Sequence, residues 1–272
     1  SKEIEIEYPL PSEENIAANI TGAYLLGYDV ITIRGKSTIS VKDREVIRES
    51  MRRLVGMEIL DEDASNVNGQ FLLDETSLNP KKIFKRMSSI ALGMFNETLS
   101  ALRTDDKTNL QTIPNRDDEI NRQYFLLVRF IRSMMVDRRL AGIFNLENID
   151  ILDYRIAGNI LETAGDTIVD LSKSISETSL SSSDQKKIYD IAKDIETIQK
   201  KSIDAFITNN RSLAIEAIKL HGQHQSKISK IRSSLEHKKQ TPIAFLDLIY
   251  IFEKIVQSWS DISDLVQPTY RK

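Results

Sequence analysis

Three carboxylates spaced four residues apart, Glu162, Asp166 and Asp170, carry the strongest chemical signal in the sequence. On a helix this spacing stacks them along one face. The apolar positions Ile156, Ile160, Ala164, Ile168, Leu171 and Ile175 sit roughly 200° away at ~100° per residue, so the acids face away from the core. Like charges at this spacing repel by roughly 0.2–0.5 kcal/mol per pair, which a hard cation would relieve. Asp117 and Asp118, on a neighbouring helix, can complete the set. Oxygen-only ligands suit Mg²⁺, Mn²⁺ or Fe³⁺. The candidate metal ligands are therefore Glu162, Asp166, Asp170, Asp117 and Asp118. A second reading stands beside this one: a solvated acidic face paired with Arg116 or Arg122.

The other candidates favour ordinary structure. His221 and His224 with Gln225 have a ligand-like look, but His224 lies on an apolar stripe, where a histidine is a hydrogen-bonded core residue more often than a ligand. His237 fits a helix C-terminus. Arg44, Arg48 and Arg52 form a row with Arg53 beside it. Asp43, Glu45 and Glu49 interleave, so this reads as a mixed-charge surface rather than a nucleic-acid face. Arg132, Arg138 and Arg139 read the same way. The Tyr124-Phe125-Leu126-Leu127-Val128 run and Trp259 read as core. No phosphate-cradling loop, dinucleotide fingerprint, nucleophile elbow or His-Glu-x-x-His motif is present. Nor does any histidine have glutamate three residues before it, as a di-iron bundle requires. No catalytic or cofactor-binding residue is assigned, and the chain reads as a non-enzyme.

The whole chain constrains the class further. It has 272 residues, a net charge of −3 and no cysteine. The charge gives no bulk drive toward nucleic acid or anionic lipid. The missing thiols exclude disulfides and thiolate metal sites and fit a reducing cytoplasm. The longest apolar stretches, around 124–131 and 243–252, are short and carry Arg129 and Asp247, so no membrane insertion is expected. The first residues do not resemble a signal peptide, and they begin abruptly in a strand-like alternation, which points to residues upstream.

Punctuation divides the chain. Five of ten glycines fall in the first 69 residues, and no proline occurs between Pro114 and Pro242. A turn-rich head over 1–77 should therefore precede long helices. In the head, strands are expected at 3–8, 29–34, 57–60 and 71–73, the last two around an Asn68-Gly69 turn. One helix should start at Ser12 and end at Gly27; another should run from Ser40 to Gly56. Six helices follow, at about 79–104, 107–143, 147–178, 183–208, 211–237 and 241–267. Asn79-Pro80 and Thr241-Pro242 mark two of the starts. Three apolar stripes support them: Ile83 to Ala101, Ile188 to Ala205, and Leu213 through His224 to Leu235. The fold class is α+β, predominantly α, with a small βαβαββ head.

The helical region repeats. At an offset of 91 positions Ile160 matches Ile251, Glu162 matches Glu253, Asp170 matches Asp261 and Ser172 matches Ser263. Earlier in the unit Ser100 to Asp106 matches Asp204 to Asn210, at an offset of 104. The difference implies an insertion near 137–149 in the first copy. Two three-helix bundles, 78–180 and 181–272, are expected.

At these residues the sequence resembles the PhoU family, specifically archaeal members of the AbrB/PhoU type. The carriers are Leu161-Glu162-Thr-Ala-Gly-Asp166-Thr-Ile-Val-Asp170-Leu, and Arg116-Asp117-Asp118-Glu119-Ile120-Asn121-Arg122-Gln123-Tyr124. In the head they are Ala23-Tyr24-Leu25-Leu26-Gly27-Tyr28-Asp29-Val30-Ile31 and Leu54-Val55-Gly56-Met57-Glu58-Ile59-Leu60. The resemblance implies two three-helix bundles and a regulator of phosphate uptake and homeostasis working by protein contact. Its partner would be the phosphate transporter's ATPase, or a signalling or transcription partner, and a homo-oligomer is compatible. It also implies metal clusters. The second bundle departs from the pattern, with Gln257 where a carboxylate is expected and His221-x-x-x-Gln225 on the middle helix. The resemblance implies an AbrB-like DNA-binding domain at the N-terminus; these 272 residues are read as lacking it, unless it was trimmed away, so no direct nucleic-acid binding by this chain is expected. The alternative is the effector and dimerisation part of an AbrB-type transcriptional regulator lacking that domain. A further alternative is a metal-dependent hydrolase using Glu162, Asp166 and Asp117.

Overall fold

The computed structural model describes residues 1–238, 240 and 242–266. It divides into two compact units: residues 1–84 with 122–155, and residues 85–121 with the chain from 156 onward. A four-stranded sheet lies near the N-terminus, and the rest is helical.

In the first unit, strands β1 (Glu3–Tyr8), β2 (Val30–Gly35), β3 (Met57–Glu62) and β4 (Asn66–Phe71) form a sheet in the order β1-β2-β4-β3. β1 runs parallel to β2; the other pairs are antiparallel. Helices α1 (Ile16–Leu25) and α2 (Val41–Arg52) complete the expected βαβαββ order. Ile6, Ile31, Ile33, Val67 and Phe71 are buried, while Glu3, Glu5 and Glu7 are exposed along the edge strand β1. Those charges discourage pairing with another chain.

Three local expectations change. Asn68-Gly69 is not the hairpin turn; it lies inside β4, where Gly69 pairs with Ile31 and Ile59. Gly69 leaves room there for the buried Met51, whose Sδ would lie 2.5 Å from a Cβ. The turn forms at Asp63, whose carboxylate accepts from the Ser65 and Asn66 amides. The Asn66 side-chain amide first, and then these backbone donors, hold its pKa down at about 2. The first helix is capped by Asn15 rather than Ser12. Ser40 does cap α2, but that helix stops at Arg52, and Gly56 enters β3 with φ +85°. The arginine row is a mixed-charge surface: Arg44 and Arg48 pair with Glu62, and Arg53 with Glu49.

The long helices are α3 (Pro80–Thr104), α4 (Ile113–Val136), α6 (Asn148–Glu177), α7 (Ser182–Thr208), α8 (Arg211–Glu236) and α9 (Ile243–Asp264), with a short α5 (Arg138–Ile143) between α4 and α6. The single helix expected over 107–143 is thus broken. Residues 108–112 form a 3₁₀ turn, and Asp137 ends one helix and caps the next through the Arg139 amide. Thr241, expected as a cap, lies outside the described residues, as does position 267. In the first unit Arg129 of α4 is 1% exposed. It donates to the Tyr24 and Tyr28 carbonyls and to Asp29, and lies 3.9 Å over the Phe71 ring.

In the second unit α7, α8 and α9 pack against one another as a three-helix bundle. Its core includes Ile188, Ile195, Ala217, Ile228, Phe252 and a fully buried Trp259. Asn209, in the left-handed region, turns the chain between α7 and α8, and Asn210 caps α8. The buried face of α8 is rotated from the expected stripe: Ala214, Ala217, His221, His224 and Ile228 are inside, while Leu213 and Leu235 are half-buried. No helix of the described residues is long and apolar enough to cross a membrane.

Candidate functional site

The acidic cluster assembles in the second unit from two helices. Glu162 and Asp166 stand one turn apart on α6, and Asp117 comes from the start of α4. Gly165 sits between the two α6 acids in sequence and lets α4 approach: a Cβ there would lie 2.7 Å from Asp117 Oδ1 and 3.1 Å from Ile120 Cδ1. The sequence placed the acids on a fully outward face. The structure instead buries Asp117 to 7% exposure and half-buries Glu162, leaving Asp166 exposed. The stripe behind them also differs, since Ile156 is exposed and Ala157 and Leu161 take its place in the core.

Asp166 lies within hydrogen-bonding reach of both Asp117 and Glu162. Contact between carboxyl groups is attractive only with a shared proton or a bridging cation. Burial, then the negative charge of Asp166, pushes Asp117 up to about 7, and Glu162 and Asp118 add to the effect. Glu162 is pushed up to about 7 by burial first and Asp166 second. The Oδ1 atoms of Asp117 and of Asn121, one turn on, are buried without hydrogen-bond partners among the described residues.

Of the five residues read from the sequence, Asp117, Glu162 and Asp166 meet. Asp118 is exposed at the rim, and its charge reaches Asp117. Asp170 is exposed a further turn along α6. Arg116, expected as a counter-charge, packs over Gly93 and pairs with Glu97. Arg122 donates to the Arg53 carbonyl. Among the described residues no three acidic or histidine side chains form a ready-made metal cage. Asn121, absent from the candidate ligands, joins the site, and its place one turn beyond Asp117 in the sequence is the signal for it.

The corresponding set of the second bundle also meets. His221 and Gln225 of α8, with Glu253 and Gln257 of α9, line one groove. Its charges are neutralised differently: Arg232 pairs with Glu253 at 2.6 Å, and Gln257 donates to Asp261. His224 is a core residue, 2.9 Å from the Ile191 carbonyl, as its place on the stripe predicts.

Residues 84–175 match the PhoU domain family. The matched segment contains Asp117, Glu162 and Asp166. The fold is that of known PhoU structures. The crystal structure of the phosphate transport system regulatory protein PhoU from Streptococcus pneumoniae aligns with a TM-score of 0.56 at 18% identity, over 69% of this chain and 91% of that one. PhoU from Pseudomonas aeruginosa aligns with a TM-score of 0.56 at 15% identity, over 69% and 93%. No curated protein sequence matches.

Proposed function

We propose that this chain is a non-enzymatic regulator of phosphate transport that acts by protein contact in the cytoplasm. The observation that carries this reading is the PhoU-domain match across the segment holding Asp117, Glu162 and Asp166. The streptococcal structure of the same fold is titled a phosphate transport system regulatory protein. The phosphate transporter's ATPase is the first partner to test, ahead of a signalling or transcription partner or a second copy of the chain. Within the family, the head segments 23–31 and 54–60 favour the archaeal members, on sequence resemblance alone.

The acidic cluster is the ligand-responsive part of this regulator. Its donors are all oxygen, and two buried oxygens lack partners among the described residues. That donor set fits a hard cation better than a soft one. Glu162, Asp166 and Asp117 would hold Mg²⁺, Mn²⁺ or Fe³⁺, with Asp118 and Asp170 at the edge. Because the carboxyls are not arranged as a cage, they must turn toward the ion as their protons leave. The ion would supply charge neutralisation in place of those protons.

Calorimetric titration of the purified chain into the phosphate transporter's ATPase from the same source tests the regulatory reading. Saturable binding without phosphoester turnover is expected. Absence of binding, together with hydrolysis lost on Asp166→Ala, would replace the reading with the metal-dependent hydrolase.

A further inference from the structure

The groove in the second bundle is lined by α6, α8 and α9, and its volume is about 370 Å³. That is within the range of small-molecule sites. It occupies the place where the repeat would put a second acidic cluster, but its chemistry differs. Gln225 and Gln257 are neutral, and Glu253 is spoken for by Arg232. The set does not fit a multivalent cation.

What it offers instead is donors. His221 is 7% exposed, lines the groove and has no hydrogen-bond partner among the described residues. Lys254 makes no ion pair among the described residues and lies 5.4 Å from the Tyr250 ring centroid. Gln225 and Thr163 add an amide and a hydroxyl. A lysine with a buried imidazole and neutral donors is a recognition set for an oxyanion. One feature discriminates among oxyanions. Asp261 also lines the groove, and only one of its oxygens takes the Gln257 amide. A carboxylate beside an anion is repulsive unless the anion brings a proton to donate. Phosphate keeps a proton near neutral pH; sulfate does not.

We propose that this groove binds a phosphate group that still carries a proton, with Lys254 and His221 as anchors and Asp261 accepting that proton. The exposed Tyr250 ring leaves room for the organic part of a monoester, but a monoester gives up its last proton near about pH 6, so an ester shares this chemistry with free phosphate only below that pH. Further titratable groups bear on the groove. Burial lowers the His221 pKa, against the pull of Asp261 and Asp264. The Asp264 pKa is raised, first by burial and then by Asp261. His224 is held neutral in the core. This inference deepens the regulatory reading by naming the effector. Its measurement requires no transporter, so the two can fail separately.

The test is isothermal titration of the full chain with orthophosphate and sulfate at pH 7, and with AMP and orthophosphate at pH 5.5, where the monoester keeps a proton. Variants Lys254→Met, Asp261→Asn and Tyr250→Ala are run alongside, with circular dichroism to confirm folding. Saturable binding of orthophosphate or AMP is expected, at least about tenfold tighter than sulfate. Lys254→Met should weaken it by about tenfold or more, and Asp261→Asn should bring phosphate and sulfate together. AMP binding that is weakened by Tyr250→Ala, with orthophosphate unaffected, assigns the site to an ester. Orthophosphate binding with no gain for AMP assigns it to the free ion. No saturable binding of either at 10 mM (roughly the weakest useful affinity) overturns the proposal. So does sulfate binding as tightly as phosphate, or a folded Lys254→Met variant that binds unchanged.

Discussion

Gly165 on α6 lies directly against the Asp117 carboxylate of α4: a Cβ at position 165 would stand 2.7 Å from Asp117 Oδ1. Helical glycine ordinarily weakens a helix by about 1 kcal/mol relative to alanine. Here the missing side chain lets Asp117 of α4 reach Asp166, which also lies within reach of Glu162. Gly165→Ala should therefore lower the melting temperature despite its better helix propensity. It should also separate Asp117 from Asp166. Thermal unfolding checks the first expectation, and carboxyl titration by NMR the second. An alanine variant more stable than the parent at pH 8, with unchanged titration, would show that the close approach does not matter.

The raised pKa values set a direction for pH dependence. Asp117 and Glu162 sit at about 7 in the folded chain, above their ordinary carboxyl values of 3.8 and 4.5. The unfolded chain thus releases these protons first as pH rises. Their contribution to stability is complete below about pH 4 and is lost as pH climbs through 7. Asp117→Asn removes one of the opposing charges. It should raise the melting temperature at pH 8, where each kcal/mol relieved is worth about 2–4 °C. At pH 5 it should change little. Equal effects at both pH values would contradict the assignment.

Arg129 offers a test in the other unit. Its buried guanidinium donates to two backbone carbonyls and to Asp29. Arg129→Met keeps much of the bulk but takes the guanidinium donors from the Tyr28 carbonyl and from Asp29 Oδ1. A loss of roughly 3–5 kcal/mol is expected, as when one partner of a buried pair is removed. Chemical denaturation measures it, and a loss below about 1 kcal/mol, the scale of a surface ion pair, would place Arg129 in the wrong environment.

The βαβαββ order and the long helices were legible because alternation and three-four spacing survive in the sequence. Turn chemistry was less so. Asn68-Gly69 has the composition of a hairpin turn, yet Gly69 serves β4 by making room for Met51. The break at Asp137 follows from a capping carboxylate inside an otherwise continuous pattern. Arg129 was visible as a charge in an apolar run, but its acceptors are about 100 residues away. The acids were legible as a set, while their burial was not. Periodicity says which side of α6 carries Glu162; it does not say that Gly165 draws α4 over that side. The burial of His221 was not legible for the same reason, since the α8 face is set by packing against its neighbours.

The central claim is that Asp117 and Glu162 hold protons that a hard cation, bound together with Asp166, can replace. The most direct measurement is thermal unfolding at pH 8 with Mg²⁺, Mn²⁺ or Fe³⁺ against chelator, for the parent chain and for Glu162→Gln/Asp166→Asn. Saturable cation binding should raise the melting temperature of the parent, since a ligand at about 100 times its Kd stabilises by about 2.7 kcal/mol. The shift should shrink at pH 5, where protons compete, and vanish in the double variant. If chelator changes nothing in the parent at either pH, or if the double variant keeps the full shift, the cluster is a solvated acidic face and not a cation site.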